Sequence, residues 1–409
     1  MRHICREEIK QKMNRDIERI KDSASVELMI KARELKEAGV DIIGLAGGEP
    51  DFDTPEPIKE KAISELLKGN THYAVGKGIL PLRQKIAQKL HKDNGIAVSA
   101  DEIIVTPGAK MAIYLAVRAC INEGDEVLIP TPSWVSYTEI VRASSGVPVE
   151  VPLNPEDNYT ITAEVLEKYV TSKTKMLILC SPNNPTGRMI SEKEIQEIIR
   201  FVKGKDIIIL SDEIYEKISY VRNSISLASC QELKDCTLTV NGFSKAYAMT
   251  GWRLGYIAGS SKYINTMNRL FTHTITGTPP FVQTAAVVAL DCDDEVKIMQ
   301  KEYKRRRDFF LNALNEIPEV QAIVPEGAFY AWCHFNIQGD IAQKLLENTG
   351  VIGVPGRAYG SGYDQYIRFS FANDMKDLEE AVRRIKEYVL NGYKEEHYDL
   401  KGIVERSLR

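Results

Sequence analysis

From about residue 100 the chain alternates short apolar runs rich in β-formers with stretches in which apolar residues recur every three or four positions. The runs at 102–106, 126–129, 175–180, 206–210, 237–240 and 254–258 predict strands, and 110–122 and 192–202 predict helices. Ser191 with Glu194 forms a capping box at the start of the second of these helices, and Gly204 closes it. Such alternation implies an α/β fold: a large domain with a mostly parallel mixed sheet flanked by helices.

After about residue 291 the pattern changes. Residues 295–316 read as a long, charged amphipathic helix, followed by strands near 328–335 and 366–371 and a last helix near 376–390. This predicts a second, smaller α+β domain. Residues 1–50 read as helical up to a turn at Gly47-Gly48-Glu49-Pro50, too short to fold alone and expected to pack on the small domain. The expected division is therefore 1–50, 51–290 and 291–409, with a polar tail from about 392.

Composition narrows the class without choosing a chemistry. The 409 residues are 44% hydrophobic and 27% charged, as in ordinary globular proteins. A net charge of −4 and a pI near 6.0 give no electrostatic case for nucleic acid or a membrane surface. The seven cysteines include no Cys-x-x-Cys pair, the first 21 residues lack the apolar core of a secretory signal, and no apolar run is long enough to cross a bilayer. A reduced, cytoplasmic setting is the expectation, with no metal site.

The candidate chemistry gathers at the ends of the predicted strands. Lys245, in Asn241-Gly-Phe-Ser-Lys-Ala-Tyr-Ala-Met-Thr-Gly-Trp-Arg-Leu-Gly255, follows a buried run, where lost hydration lowers its pKa and frees its amine to attack an aldehyde. Arg253 and Ser244 suit a phosphate, so the segment points to pyridoxal 5′-phosphate. Asp212 ends the run 207–211, where it is either the partner of a protonated pyridine nitrogen or a plain helix N-cap; Tyr215 lies three residues on. Ser181-Pro-Asn-Asn-Pro-Thr-Gly187 follows another strand and presents Asn184 at the same edge. Thr106-Pro-Gly-Ala-Lys110 closes a strand and opens a helix, leaving the N–H groups of Gly108, Ala109 and Lys110 for an anion. The nearest approach to a dinucleotide fingerprint, Gly76-Lys-Gly78-Ile-Leu-Pro81, has proline in place of the third glycine. By pattern alone Trp134 serves core packing as readily as ring stacking. Arg368 on its alternating strand reads more simply as solvated than as a carboxylate anchor.

Taken together, these strings resemble the class I, fold type I, pyridoxal-phosphate aminotransferases, most closely the bacterial and archaeal aspartate aminotransferase subgroup. The likeness runs from about residue 23 to about 390 and includes residues 43–52, Tyr73 with the stretch 78–83, Ser133-Trp-Val-Ser-Tyr137, Ser211-Asp-Glu-Ile-Tyr215 and Gly327-Ala-Phe-Tyr330. The resemblance implies that Lys245 carries the cofactor as an imine, that Asp212 meets its ring nitrogen, and that Tyr215 and Asn184 meet its ring oxygen. It implies that Arg253, Ser244 and the 108–110 amides hold the phosphate, with Tyr73 reaching it from the neighbouring subunit of a homodimer. It gives the substrate α-carboxylate to Arg368, Asn184 and the Gly48 backbone, with Trp134 beside the ring. Lys110 would meet the distal carboxylate of aspartate or, on a bland reading, point to solvent, and Ala24 and Ser25 would leave room for substrate. The expected reaction is ping-pong amino transfer between an amino acid and a 2-oxo acid, aspartate and 2-oxoglutarate first. Alternatives on the same fold are aromatic or alanine aminotransferases and β-lyases; one from another class is a non-catalytic regulatory module.

Overall fold

The computed structural model describes residues 15–74 and 76–391, so the polar tail and the first residues lie outside the described part. Among the described residues no helix is long and apolar enough to cross a membrane.

Seven strands form the main sheet: β2 (Ile103–Thr106), β3 (Glu126–Thr131), β4 (Val147–Pro152), β5 (Thr174–Cys180), β6 (Ile208–Asp212), β7 (Thr237–Gly242) and β8 (Gly255–Ala258), in the order β2-β8-β7-β6-β5-β3-β4. Strands β4, β3, β5, β6 and β7 pair in parallel, while β8 runs antiparallel to both β7 and β2. The α/β expectation with a mostly parallel mixed sheet holds. Every residue of β6 and β7 is buried, as continuous apolar strands require when helices cover both faces. The capping box of the helix Glu192–Val202 forms, with the Ser191 amide donating to Glu194 Oε2 at 3.0 Å. Within this sheet one strand, β4, escaped the sequence reading: its two prolines disguise it, and they are tolerated because β4 lies on the sheet edge.

The chain leaves β5 towards β6 and β7 on one side of the sheet, whereas β3 and β4 lie on the other. The carboxyl ends of β3, β5, β6 and β7 share one rim at this change of direction, the usual place for a ligand crevice in open α/β sheets. Because Gly255 sits opposite both Thr106 and Gly242, the segments before β8 and after β2 reach the same rim.

A second sheet has the order β12-β13-β10-β9, all antiparallel, with β9 Val320–Ile323, β10 Tyr330–Phe335, β12 Val354–Pro355 and β13 Tyr366–Ser370. The helices Asp293–Asn315 and Met375–Leu390 pack beside it. Near the amino terminus, β1 (Ile43–Gly44) pairs in parallel with β11 (Val351–Ile352), and Leu45 accepts the Ser370 amide at 2.7 Å. Those bonds carry the backbone at 46–49 over the rim of the main sheet.

Candidate active site

A cavity of about 390 Å³ opens where the rim of the main sheet meets β13 and the 46–49 backbone. Its lining includes four cationic side chains, Lys110, Lys245, Arg253 and Arg368, against two carboxylates, Glu49 and Asp212. Such a surplus calls for anionic ligands. A neighbouring cavity of about 430 Å³ shares Ser23, Lys110 and Ser136 but takes none of the strand-end residues Asn184, Asp212 or Lys245.

Lys245 follows β7, and its partly buried ammonium donates to the Gly48 carbonyl. Burial lowers its pKa to about 8; Arg368 and Arg253 push the same way, while Glu49 and Asp212 resist. The amine is thus poised to become neutral under mild conditions.

Asp212 is the last residue of β6 and is buried. No helix follows it, so the N-cap reading fails. Its Oδ2 accepts from Tyr137 Oη at 2.7 Å and its Oδ1 from the Ile214 amide at 3.2 Å. Burial raises its pKa to about 6 in spite of those bonds and of the Lys245 charge. A cation brought to this carboxylate would be strongly favoured. Tyr137 stood in a quoted motif without a role. Its position, fully buried on the helix Ser136–Ala143, makes it a supporting donor that no sequence spacing announces.

Tyr215 reaches the cavity with its hydroxyl 2.7 Å from that of Tyr330, a second residue whose part the sequence had not given. Burial holds its pKa well above the ordinary value, so it remains a proton donor. Asn184 is buried with its Oδ1 accepting from Arg368 at 3.2 Å, which leaves its amide N–H group as what it can offer the cavity. Arg368 on β13 is only 3% exposed, so the solvated alternative is excluded; its Nη2 donates to the Ala46 carbonyl at 2.6 Å.

At the other end of the cavity, the helix Ala109–Cys120 begins after Gly108, which has φ +80°. A Cβ on Gly108 would lie 2.6 Å from Arg253 Nη2, so the missing side chain is what lets the guanidinium approach the free amides of the first turn. Arg253 itself is in the left-handed region at φ +54°, a strain that persists only where the surroundings impose it. Ser244 lines the same end. These donors form a cradle of the size and charge for a phosphate dianion. Trp134 is half-buried in the wall, with Lys110 Nζ 4.9 Å from its ring centroid. Burial and the Arg253 charge lower the pKa of Lys110. Tyr73 is not in the cavity: it stands 89% exposed. The Ser25 side chain lies outside the described residues, and Ala24 lines the neighbouring cavity.

A family model, aminotransferase class I and II, matches residues 40–385. The chain is similar to a probable aspartate/prephenate aminotransferase of Aquifex aeolicus, 41% identical over 90% of this chain and 96% of that protein. An aromatic-amino-acid aminotransferase of Thermococcus litoralis is 41% identical over 84% of this chain and 91% of its own length. Among solved structures, aspartate aminotransferase from Thermus thermophilus with maleate superposes with a TM-score of 0.87 at 37% identity, covering 92% of this chain and 99% of that one. With this fold, and with these relatives matched over nearly their whole length, the chain belongs to the class I and II aminotransferases.

Proposed function

We propose that the protein is a pyridoxal 5′-phosphate-dependent aminotransferase acting on aspartate and 2-oxoglutarate. One observation carries the reading: a single cavity sets an amine of lowered pKa, Lys245, beside a buried carboxylate and between two arginines, one at a helix N-terminus and one on the facing sheet. When bound, the cofactor supplies an electrophilic carbon for the substrate amine and an electron-poor ring to accept charge from Cα.

The chain's residues do the rest. Arg253, Ser244 and the amides of Gly108, Ala109 and Lys110 take the phosphate, and Trp134 covers the ring. Asp212, oriented by Tyr137 and the Ile214 amide, keeps the ring nitrogen protonated. Tyr215 and the Asn184 amide donate to the ring oxygen. Arg368, Asn184 and the Gly48 backbone orient the α-carboxylate. Lys245 Nζ, neutral at mildly alkaline pH, removes the proton at Cα and returns it on the cofactor side.

In this reading residues 51–290 hold the cofactor and 291–409 supply the carboxylate anchor, and the β1–β11 pairing supports placing 1–50 with the latter. Tyr73 serves the phosphate of a second copy; its exposure next to the exposed Leu66 and Leu67 supports a homodimer. The six cysteines among the described residues are free, which supports a cytoplasmic setting.

Aspartate is favoured by Lys110, whose ammonium reaches the cavity with no carboxylate bound to it among the described residues, and by the names of the relatives. Aromatic donors are a second reading, favoured by Val26, Met29 and Ile113, which bring apolar side chains into the lining. Purified protein is assayed with aspartate, alanine and phenylalanine against 2-oxoglutarate. Oxaloacetate should form fastest, and a rate led by phenylpyruvate would reverse the assignment in favour of the second reading.

A further inference from the structure

Arg368 lies in an aromatic cage whose polar atoms are not all satisfied. Its guanidinium carbon is 4.4 Å from the ring centroid of Tyr330 and 5.5 Å from that of Tyr359. Nη1 donates to Asn184 Oδ1 at 3.2 Å, and Nη2 donates to the carbonyls of Ala46 at 2.6 Å and Gly47 at 3.3 Å. Arg368 Nε and the Tyr359 hydroxyl are both buried without a hydrogen-bond partner.

Tyr359 cannot easily turn away to find one. It is 2% exposed, its carbonyl accepts the Ser133 amide at 2.9 Å, and its ring packs edge-on against Trp332 at 5.5 Å. A buried hydroxyl without a partner destabilises the fold, and a phenylalanine would fill the same space without that penalty. Burial raises the Tyr359 pKa, while the nearby Arg368 charge opposes the rise. The two unsatisfied groups therefore belong to one locality.

We propose that Tyr359 is a positioning residue for carboxylate recognition: its hydroxyl accepts the Nε–H of Arg368 when the guanidinium turns from the Ala46 and Gly47 carbonyls to a substrate carboxylate. The fork must give up its backbone acceptors to present both Nη atoms to a carboxylate, and a fixed acceptor for Nε sets the plane in which it does so. This rests on the reading of Arg368 as the α-carboxylate anchor.

The test is Tyr359→Phe in the cofactor-loaded enzyme, with Arg368→Gln beside it. The phenylalanine variant should raise KM for aspartate and for 2-oxoglutarate about 10-fold, with kcat within about twofold. Its dissociation constant for maleate, a dicarboxylate without an amine, should rise by the same factor, and the bound-cofactor absorbance should stay as in the parent. Unchanged KM in Tyr359→Phe, with a large rise in Arg368→Gln, overturns the role of Tyr359 alone. Unchanged KM in Arg368→Gln overturns the anchor itself. A fall in kcat or loss of cofactor in Tyr359→Phe identifies a structural part instead and also overturns the proposal.

Discussion

Replacing Asp212 by asparagine should stabilise the cofactor-free protein while disabling the loaded one. In the free protein, burial lifts the carboxyl from 3.8 to about 6, against the pull of Tyr137, the Ile214 amide and Lys245. A folded-state pKa above the unfolded value means that the contribution to stability is full below about pH 4 and is lost as pH rises through 6. About two pK units at ~1.4 kcal/mol each give a cost of about 3 kcal/mol at pH 8. Asparagine never ionises and escapes that cost, but it offers one oxygen where two accept, so either Tyr137 Oη or the Ile214 amide loses its acceptor, which returns about 1 kcal/mol. The net gain is about 2 kcal/mol at pH 8, passes through zero near pH 4.5 and becomes a loss of up to about 1 kcal/mol below it. Thermal unfolding of cofactor-free Asp212→Asn and parent at about pH 4.5 and pH 8 reads it directly, as a Tm higher by roughly 1–4 °C at the upper pH only. With cofactor bound the sign should invert, because the carboxylate then has a cation to meet. A variant less stable than the parent at pH 8, or a difference equal at both pH values, would refute the reasoning.

Other outcomes follow from the same cavity. Since only the neutral amine attacks a carbonyl, the rate at which cofactor-free protein takes up pyridoxal 5′-phosphate should climb with pH through a midpoint near 8; Glu49→Gln, which removes a charge that favours the ammonium, should move that midpoint down in a stopped-flow absorbance titration. Lys110→Ala should lower kcat/KM for aspartate about 10–100-fold and change that for phenylalanine by less than about threefold; equal losses would remove Lys110 from the specificity argument. Gly108→Ala places a Cβ 2.6 Å from Arg253 Nη2 at a backbone with φ +80°, so the cofactor dissociation constant, followed by fluorescence, should weaken about 10–100-fold. Borohydride reduction of the loaded protein should fix a pyridoxyl label on Lys245 in a peptide map; label on another lysine would sink the functional reading.

Much of this was legible because the chemistry sits at strand ends, where sequence motifs and chain topology coincide. Asp212 and Lys245 follow apolar runs that can only be buried strands, and Gly108 marks a strand-to-helix turn. What stayed hidden was contact between distant segments. Nothing near Tyr137 in sequence says that its hydroxyl meets Asp212, 75 residues later. The Tyr215 to Tyr330 contact spans 115 positions and joins the two sheets. Likewise Arg368 could not be told from a solvated strand arginine until the backbone at 46–47 was seen to lie across it. Strand β4 was obscured for a local reason, prolines that only an edge permits.

The 46–49 backbone has a consequence for which compounds the protein turns away. Its carbonyls engage both the cation on β13 and the ammonium that follows β7, so one short length of main chain ties the two halves of the crevice together. An incoming acid repays the arginine for the carbonyls it surrenders, whereas a simple amine brings nothing in exchange and leaves that tie in place. Primary amines, abundant in any cell, would thus be discouraged by an unbroken crossbar rather than by lack of room.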